Sequence, residues 1–520
     1  MEMLTTAEQM RRCDREAINR YRLPGLILME NAGRAFVDAL DRNVGPVKEK
    51  QIVVLCGKGS NGGDGYVVAR HLASIGALSL VILLGRKSAV KGDARVNLDI
   101  ILKLASLKGS GVRFKEVISS QAFSGINKPD IVVDAIFGTG FSGNVTGLAQ
   151  KAIRWMNSSG AIVASVDIPS GVDANTGRIG NVAAKAHVTV TMGMAKIGQY
   201  VGAGRDHSGE VVVADIGIPK GVMRPVQNQV FRVRSRDITS LLPRRPASAH
   251  KYSVGKVFAL AGSRGFVGAP YLCAQAAMKA GAGAVVLGIP NSIYLMMSRK
   301  VTEVMLLPLD ETDDGTVGLG AKNAIEERIR WADAVVLGPG LSRNEETMRL
   351  LIDLIPSISR PLVLDADALH AVMLKRGIVK KRRTQTILTP HSGELEKISG
   401  HGVSEIEEGR VEVARSSARS LNSVVVLKGS PTVVADPHGE VYLNSTGNPG
   451  MATAGTGDVL AGVIGSLIAQ GVPSPDAAFA GVFIHGMAGD TAGRKFGQRG
   501  MMAMDLLDCI PEVMKRLEQQ

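Results

Sequence analysis

Three glycine-rich segments of the chain carry residue types that bind phosphate groups. The first, residues 57–65, reads GKGSNGGDG and separates an apolar run from a helix-forming stretch. Glycines at such a junction let backbone N–H groups approach a phosphate at the N-terminus of a helix. Asn61 and Asp64 make the segment more polar than a tight turn requires. The segment favours nucleotide binding, with a purely structural strand-to-helix turn as the alternative.

The same segment contains the spacing GxGxxG, which is typical of dinucleotide-binding loops. In NAD-dependent dehydrogenases an acidic residue at the end of the next strand binds the ribose. Here the next apolar run is followed by Gly85 and Arg86. A plain NAD dehydrogenase is therefore disfavoured.

Two more polar segments of the first half follow apolar runs. Residues 138–144 read GTGFSGN, and residues 167–171 read DIPSG. The carboxyl ends of parallel strands share one crevice in an open sheet, so we expect both segments to meet residues 57–65 there.

This crevice would collect oxygen ligands and one candidate acid or base. Asn61, Asp134 and Ser170 offer hard oxygens to a cation. Asp167 is placed to move a proton, although a lone aspartate at the end of a strand is more often a cap.

The third glycine-rich segment, residues 447–458, reads GNPGMATAGTGD and precedes the apolar run VLAGVIGSLIA. It predicts an anion hole that opens a buried helix, with Asp458 in the first turn. A carboxylate beside a phosphate is unfavourable unless it does chemistry, such as taking a proton from an attacking hydroxyl. A helix-capping aspartate is an equally common alternative. No GxxxxGK[ST] occurs, so any phosphoryl transfer must use another fold than the P-loop.

Other polar residues of the second half follow predicted strands and should converge on the same site. Asp365 and Asp367 could bind Mg²⁺ or cap the turn that contains them. His391 is either a ligand contact or a capped loop histidine, and taken alone the second explanation is favoured.

Elements of α/β type must position these residues. From Gln51 onward, short runs of Val, Ile and Leu end in glycine turns and precede helical stretches, the pattern of parallel strands with crossover helices. Helices are predicted at residues 6–20 and 26–40. Strands are predicted at residues 51–56, 78–84, 131–137, 161–167, 187–192 and 211–215, and then at 257–261, 284–289, 334–337, 361–364, 385–388 and 423–428.

Between residues 219 and 250 the periodicity lapses, and prolines and basic residues accumulate. The chain is therefore divided into domains of residues 1–225 and 226–520. A length of 520 residues agrees with two to four domains.

The charge balance favours small anionic ligands. The chain has 61 Lys and Arg against 48 Asp and Glu, a net charge of +13, but only 4% aromatic residues. Single-stranded nucleic acids are usually bound by stacking on aromatic side chains, so a nucleic-acid partner is not expected. The densest basic run, residues 375–383, is interpreted as a solvated loop.

Four widely spaced cysteines without a CxxC pair predict a reduced, cytoplasmic protein. The amino-terminal residues lack the apolar core of a signal peptide, and the apolar run of residues 459–469 is shorter than the ~18 residues of a membrane span. No membrane association is expected.

Six motifs in order resemble the bifunctional NAD(P)H-hydrate repair enzymes, and the similarity covers nearly the whole chain. In this family an NAD(P)HX epimerase domain is fused to an ADP-dependent (S)-NAD(P)H-hydrate dehydratase. The motifs are LMENAGRA at residues 28–35, NGGDG at 61–65, DAIFGTGFSG at 134–143, VDIPSGVD at 166–173, TPHSGE at 389–394 and GNPGMATAGTGDVLAG at 447–462.

The resemblance implies a Rossmann-like three-layer α/β domain followed by a ribokinase-like α/β domain. It implies Asp167 and Asp458 as the catalytic residues, and K⁺ ligands at Asn61, Asp134 and Ser170. The residues implied to bind the hydrated nucleotide are Ser60, Asn61, Gly62, Gly63, Asp64, Gly138, Thr139, Gly140, Phe141, Ser142, Gly143, Asn144, Asp167, Ala269, Gly340, His391 and Asp458. The residues implied to bind the adenine nucleotide are Lys428, Gly429, Ser430, Pro431, Thr432 and Gly457.

The implied chemistry has two parts. The first domain interconverts the R and S hydrates, with K⁺ at its site. In the second, Asp458 deprotonates the C6 hydroxyl, the terminal phosphate of ADP, bound with Mg²⁺, is transferred to it, and loss of phosphate regenerates NAD(P)H. The expected partners are NADHX, NADPHX and ADP, and a homo-oligomer is expected.

Two rival functions remain open at this point. A ribokinase-like kinase of a vitamin or sugar would use the same anion hole and Asp458. A non-enzymatic binding module would resemble the first half alone. Three residues differ from those common in the family: Ser60, Ser392 and Ala454. These differences leave the substrate affinity open, but not the type of reaction. The preference for ADP over ATP and for NADHX over NADPHX stays open.

Overall fold

The computed structural model describes residues 1–119, 123, 126, 128–219, 221–223 and 229–519. By their internal contacts the residues form a first unit, Met3–Val230, and a second unit, Phe231–Gln520 together with Met1–Glu2. The domain boundary predicted between residues 225 and 226 lies outside the described residues.

Both units alternate strands and helices. The strands are β1 (Glu2–Leu4), β2 (Gln51–Cys56), β3 (Leu78–Leu84), β4 (Val112–Val117), β5 (Ile131–Ala135), β6 (Ile162–Val166), β7 (Val188–Met192), β8 (Glu210–Ala214), β9 (Val230–Arg232), β10 (Lys256–Leu260), β11 (Ala284–Pro290), β12 (Met305–Leu309), β13 (Ala334–Leu337), β14 (Leu362–Leu364), β15 (Thr386–Leu388), β16 (Val424–Leu427), β17 (Val433–Ala435) and β18 (Val441–Leu443). The helices are α1 (Ala7–Asn19), α2 (Gly25–Val44), α3 (Ser60–Ser74), α4 (Gly92–Ser106), α5 (Gly147–Ser158), α6 (Gly202–Ser208), α7 (Ser235–Thr239), α8 (Gly268–Lys279), α9 (Tyr294–Ser298), α10 (Lys322–Trp331), α11 (Glu345–Leu354), α12 (Asp367–Leu374), α13 (Gly377–Lys380), α14 (Ser392–Ser399), α15 (Val403–Glu408), α16 (Arg410–Leu421), α17 (Thr456–Ala469), α18 (Ser474–Phe496) and α19 (Ala503–Glu518).

The first unit has a seven-stranded parallel sheet in the order β4-β3-β2-β5-β6-β7-β8. The chain moves outward from β2 to β4 and then returns to the other side of β2 as β5. This reversal opens a crevice at the carboxyl ends of β2 and β5, where ligands bind in open α/β sheets.

Side chains of β2 and β5 alternate between two apolar layers. Val54 and Val133 pack in a cluster with side chains of α2, α3 and α4, such as Phe36. Val53 and Val132 point to the opposite face, where α5 covers them. Continuous apolar strands buried on both faces give the expected three-layer architecture.

The second unit contains the strand order β9-β18-β17-β16-β15-β14-β13-β10-β11-β12. The strands from β16 to β12 along this order are parallel, and β17 and β18 are antiparallel to their neighbours. From β10 the strands are added on one side as β11 and β12, and β13 is then added on the other side of β10. This change of side places a second crevice at the loops after β10 and β13.

The buried face of this sheet is covered mainly by α8 and α17. Every residue of α17 from Val459 to Ala469 is buried. Gly462 allows the close approach, because a Cβ there would lie 2.1 Å from the carbonyl oxygen of Cys273 on α8. An extended apolar cluster joins both helices to α18 and α19.

Five of the six basic residues in 375–383 are exposed, as the interpretation of a solvated segment expected, but the run is not simply a loop. It contains the short helix α13, and Arg382 is buried beneath it. The Arg382 guanidinium donates to the carbonyl oxygens of Ile355, Ile358 and Arg360 and to two threonine hydroxyls. These five hydrogen bonds give Arg382 a structural role.

No helix among the described residues combines the length and apolar character that crossing a membrane requires.

Candidate active sites

The phosphate-binding segment of the first unit forms the turn from β2 into α3. A Cβ on Gly57 would lie 2.0 Å from the carbonyl oxygen of Ile136, and one on Gly62 would lie 2.1 Å from the carbonyl oxygen of Gly57. Only glycine fits at either position. Helix α3 begins at Ser60 after Gly59, and no side chain caps it, which leaves its first N–H groups able to meet an anion.

Asn61, Asp134 and Ser170 come together as predicted from their positions after the strands. Ser170 donates to the buried Asp134 through its hydroxyl, at 2.5 Å, and through its backbone N–H, at 2.8 Å. The Asn61 amide donates to the Phe137 carbonyl oxygen at 2.9 Å, and the Phe137 N–H donates to the Ser170 hydroxyl at 2.9 Å. Residue 137 thus links the three side chains.

Burial raises the pKa of Asp134, and hydrogen bonds from Ser170, Ser165 and the backbone N–H of Ile136 oppose this rise. The donor set around it consists of carboxylate, amide, hydroxyl and carbonyl oxygens without sulfur or imidazole. Such a set suits an alkali or alkaline-earth ion and does not suit zinc.

Asp167 follows β6 with a left-handed backbone, at φ 67°. Its Oδ1 accepts a hydrogen bond from Lys196 Nζ at 2.5 Å and another from the Met192 N–H at 3.1 Å. Lys196 is fully buried and follows the end of β7. This lysine was not among the residues predicted for the site.

Two more carboxylates face this pair. Asp64 lies in α3 and Asp14 in α1, and both are partly exposed. Burial raises the pKa of Asp64 well above its usual range, and the charges of Asp167 and Asp14 raise it further. Burial also raises the pKa of Asp14 to about 6, against the opposing effect of Lys196.

The loop of residues 138–144 divides into an inner and an outer part. Gly138 lies against Asn61, and Phe141 stacks on Phe137 with ring centroids 5.1 Å apart. Ser142, Gly143 and Asn144 are exposed. The structure therefore brings only the first part of the loop close to the oxygen cluster.

In the second unit, α17 starts where the third glycine-rich segment predicted. Gly455, at φ 92°, precedes the helix without a side-chain cap. The Thr456 hydroxyl bonds to the carbonyl oxygens of Met451 and Thr453, and His485 Nε2 lies 2.8 Å from the Thr456 carbonyl oxygen. These contacts fix the turn while the N–H groups of residues 455–457 remain available to an anion.

Asp458 lies in the first turn of α17, as expected. Burial raises its pKa to about 7, with further contributions from Asp365 and Asp367 against the opposing charge of Lys428. A carboxylate that titrates near neutral pH can accept a proton from a hydroxyl and release it again.

Asp365 is the buried carboxylate of this site. Its Oδ1 accepts hydrogen bonds from the Thr389 hydroxyl, at 2.6 Å, and from Lys428 Nζ, at 3.0 Å. Burial lowers the pKa of Lys428, but Asp365 and Glu394 outweigh this effect and the pKa is raised. Lys428 is therefore a firmly charged ammonium beside Gly457.

The remaining predicted substrate contacts of this unit are placed around the crevice. A Cβ on Gly340 would lie 3.1 Å from that of Ala269 and 3.0 Å from that of Phe266. His391 caps α14 by accepting the Gly393 N–H at 3.1 Å, and its side chain is exposed. His391 thus caps a helix at the edge of the crevice, and Phe266 was not predicted.

Arg410, also absent from the sequence-based predictions, supports the loop of residues 428–432. Its guanidinium lies beneath Gly429 and donates to the carbonyl oxygens of Leu427 and Lys428, at 3.1 and 2.9 Å. Asp367 accepts the Ser342 N–H at 2.9 Å and lies 3.4 Å from Arg343, so it holds the turn after β13.

Two family models match the chain. The model of the YjeF-related protein N-terminus matches residues 25–198, and the NAD(P)H-hydrate dehydratase model matches residues 257–512. The first range contains the Asn61, Asp134 and Asp167 cluster, and the second contains Asp365, Lys428 and Asp458.

Curated relatives are similar over their whole length. The bifunctional NAD(P)H-hydrate repair enzyme of Moorella thermoacetica is 42% identical over 99% of this chain and 97% of its own. The enzyme of the same name from Thermofilum pendens is 39% identical over 97% of this chain and 95% of its own.

Solved structures resemble the second unit. A ribokinase-like superfamily protein of Enterococcus faecalis is 23% identical with a TM-score of 0.50, covering 57% of this chain and 98% of its own, which shows the fold. An ADP/ATP-dependent NAD(P)H-hydrate dehydratase of Bacillus subtilis, crystallised with ATP and Mg²⁺, is 30% identical with a TM-score of 0.48, covering 56% of this chain and 100% of its own.

Proposed function

The chain belongs to the bifunctional NAD(P)H-hydrate repair enzymes, and from this premise we propose which residues carry its two reactions. It is an NAD(P)H-hydrate epimerase and an ADP-dependent NAD(P)H-hydrate dehydratase. The first unit contains the proposed epimerase site, and the second contains the proposed dehydratase site.

The dehydratase proposal depends most on one observation: Asp458 lies in the first turn of α17 with its pKa raised to about 7. Asp458 takes the proton of the C6 hydroxyl of the S hydrate, and that oxygen then attacks the terminal phosphate of ADP. The N–H groups of residues 455–457 stabilise the charge that develops on the phosphate. Loss of phosphate from C6 together with a proton from C5 forms the C5=C6 double bond of NAD(P)H, and AMP is released.

The surrounding residues of the second unit bind the two ligands in this proposal. Ala269, Gly340 and His391 face the hydrated nucleotide. Residues 428–432 and Gly457 hold the adenine nucleotide, with the charged Lys428 beside Gly457. Mg²⁺ would neutralise the phosphates of ADP, and Asp365 is the carboxylate best placed to contact its hydration shell, because only its Oδ1 accepts the bonds from Thr389 and Lys428.

In the first unit we assign the oxygen cluster to K⁺. Asn61, Asp134 and Ser170 are linked through residue 137 and offer only oxygen atoms, which supports this ion. Its charge would help to hold a nucleotide phosphate between residues 60–64 and the loop of residues 138–144. Asp167 moves a proton at the C6 centre of the hydrate.

The assembly and compartment form a further part of the proposal. Leu295 and Met296 expose apolar side chains on α9, which supports a homo-oligomer, and native mass spectrometry tests it. All four cysteines are buried and free, which supports the reducing cytoplasm.

The proposal is tested by incubating the protein with mixed R and S NADHX, ADP, Mg²⁺ and K⁺. We expect the near-ultraviolet absorbance of NADH to recover from both epimers. Recovery from the S form alone would show that the first unit is not an epimerase. A stable phosphorylated product without NADH would support the kinase alternative.

A further inference from the structure

Lys196 is a fully buried lysine, and each of its three contacts is a hydrogen bond. Its Nζ donates to Asp167 Oδ1 at 2.5 Å, to the Thr191 hydroxyl at 2.9 Å and to the Met192 carbonyl oxygen at 3.0 Å. An ammonium removed from water is costly unless it is fully paired, and buried ion pairs seldom add stability by themselves. The pair therefore calls for a functional explanation.

The backbone around Lys196 is fixed from two sides. The Gln199 side chain accepts the Lys196 N–H at 2.8 Å and donates to the Asp167 carbonyl oxygen at 2.8 Å. Thr5 forms a parallel bridge with Lys196 through the Ala195 carbonyl oxygen and the Ile197 N–H, at 2.9 and 3.0 Å. These bonds leave the ammonium one position, and it points at one oxygen of Asp167.

Asp64 approaches the same site from α3 and has a different character. Electrostatic interactions link it to Asp167, Asp14 and Lys196, but no hydrogen bond from a described residue contributes to its state. Three carboxylates share one ammonium here, with the buried Cys56 thiol on β2 also facing Asp64. The group cannot hold three negative charges at low cost, and Asp64 is the carboxyl whose protonated form the surroundings favour.

We propose that Asp167 and Asp64 form the acid–base pair of the epimerase, with Lys196 as the positioning residue that holds Asp167 in one orientation toward the hydrate. This rests on the epimerase function proposed for the first unit. Asp167 and Asp64 exchange protons with the substrate directly. Lys196 acts only through Asp167, because its side chain is fully buried while Asp167 is partly exposed.

The reaction balances without any co-reactant. Asp167 takes the proton of the C6 hydroxyl, the oxygen electron pair forms a C6=O double bond, and the C6–N1 bond breaks with its electrons on N1. Asp64 donates its proton to N1. Rotation about C5–C6 presents the other face of the aldehyde to N1. Ring closure then reverses both proton transfers, and only the configuration at C6 has changed.

The test measures epimerisation of pure R NADHX by the full-length chain. An excess of the Asp167→Asn chain with ADP removes each S molecule as it forms, so that epimerisation limits the appearance of NADH. Lys196→Met keeps the aliphatic stem and removes the charge. We expect kcat to fall by about 10²-fold with an unchanged KM, because Asp167 loses the ammonium that orients it but the contacts to the nucleotide remain.

Lys185→Met is the matched control, since Lys185 is an exposed lysine of the same unit, and it should leave kcat and KM unchanged. Asp64→Asn supplies a second test that breaks no hydrogen bond of the described residues. It should lower kcat by about 10²- to 10⁴-fold and remove the decline of rate at high pH.

Two results would overturn the proposal: a Lys196→Met chain with wild-type kcat, or an Asp64→Asn chain with wild-type kcat. If the unsubstituted chain leaves R NADHX untouched, the epimerase function itself is wrong. The two failures are thus distinguishable.

Discussion

At the residue scale, Asp458 combines a fixed position with a pKa near the working pH. Burial and the neighbouring Asp365 raise that pKa to about 7, while Lys428 prevents a larger rise. The same carboxylate in water would be a weak base, and in a fully apolar site it would stay protonated. The balance depends on one ammonium and two neighbouring carboxylates, Asp365 and Asp367.

We predict that Asp458→Asn lowers the dehydratase kcat by about 10²- to 10⁴-fold and leaves ADP binding intact, because the amide cannot accept the proton. In the unsubstituted chain the base must be ionised, so the logarithm of kcat/KM should fall as pH drops below about 7. Rates with S NADHX between pH 5.5 and 8.5, together with ADP titration calorimetry, provide the measurement. A variant with unchanged turnover would remove Asp458 from the mechanism.

A second residue-scale prediction concerns the K⁺ site. Asp134→Asn keeps the shape of the side chain and removes its charge, so we expect epimerisation to lose its dependence on K⁺ and the KM for the hydrate to rise. Ser165→Ala is the matched control, because Ser165 donates to Asp134 at 2.9 Å without being a proposed ligand. The measurement compares epimerase rates in K⁺ and tetramethylammonium salts. Equal K⁺ dependence in the Asp134→Asn chain and the unsubstituted chain would contradict the assignment.

At the scale of elements, the contact between α8 and α17 sets the position of the anion hole. We predict that Gly462→Ala lowers the free energy of unfolding by about 1–3 kcal/mol, because its methyl group would meet the Cys273 carbonyl oxygen and the Ala276 Cβ. Gly268→Ala is the control in α8, since a Cβ there meets nothing within 4 Å. It should be neutral or stabilise by about 0.5 kcal/mol. The measurement is urea unfolding of both variants. Equal unfolding midpoints for Gly462→Ala and Gly268→Ala would contradict the packing argument.

The sequence predicted the central elements well, for a physical reason. All twelve predicted strands are present with ends shifted by at most two residues. Most of them are buried on both faces and therefore read as continuous apolar runs, whereas β8 is a partly exposed edge strand. Strand β4 (VRFKEV) lies at an edge, where charged side chains interrupt the apolar pattern, and β17 and β18 have only three residues each. In the sequence, neither an interrupted edge strand nor a three-residue strand can be distinguished from a loop.

The candidate sites also contain residues that the sequence predicted and residues that it did not. Asn61, Asp134 and Ser170 meet because each follows a strand of one parallel sheet, which the motif positions already indicated. Lys196 is 29 residues from Asp167 and belongs to no glycine-rich segment, so only the folded chain reveals the pair. The one available signal was its position shortly after β7, at the same edge of the sheet. Asp14 lies in an amphipathic helix, where nothing in the sequence marks it as a site residue.

At the scale of the whole molecule, the two proposed sites act on one substrate pool. We predict that the Asp167→Asn chain consumes S NADHX and leaves the R form, whereas the Asp458→Asn chain epimerises without producing NADH. Mixing the two variant chains should restore full conversion, because the hydrates diffuse freely between separate sites. Chromatography of both epimers over time is the measurement. If the mixture converted no more than its Asp167→Asn component, the two activities would require one intact chain.

The late position of α17 in the chain has a consequence for biosynthesis. Its apolar residues cover β10, β13 and β14, which a ribosome completes well before it reaches residue 456. At about 5–20 residues per second, the stretch between Leu364 and Ala469 emerges over on the order of 5–20 s. During that time the nascent sheet presents an uncovered face of Val and Leu side chains. The nascent chain is therefore exposed to aggregation at this face until α17 arrives.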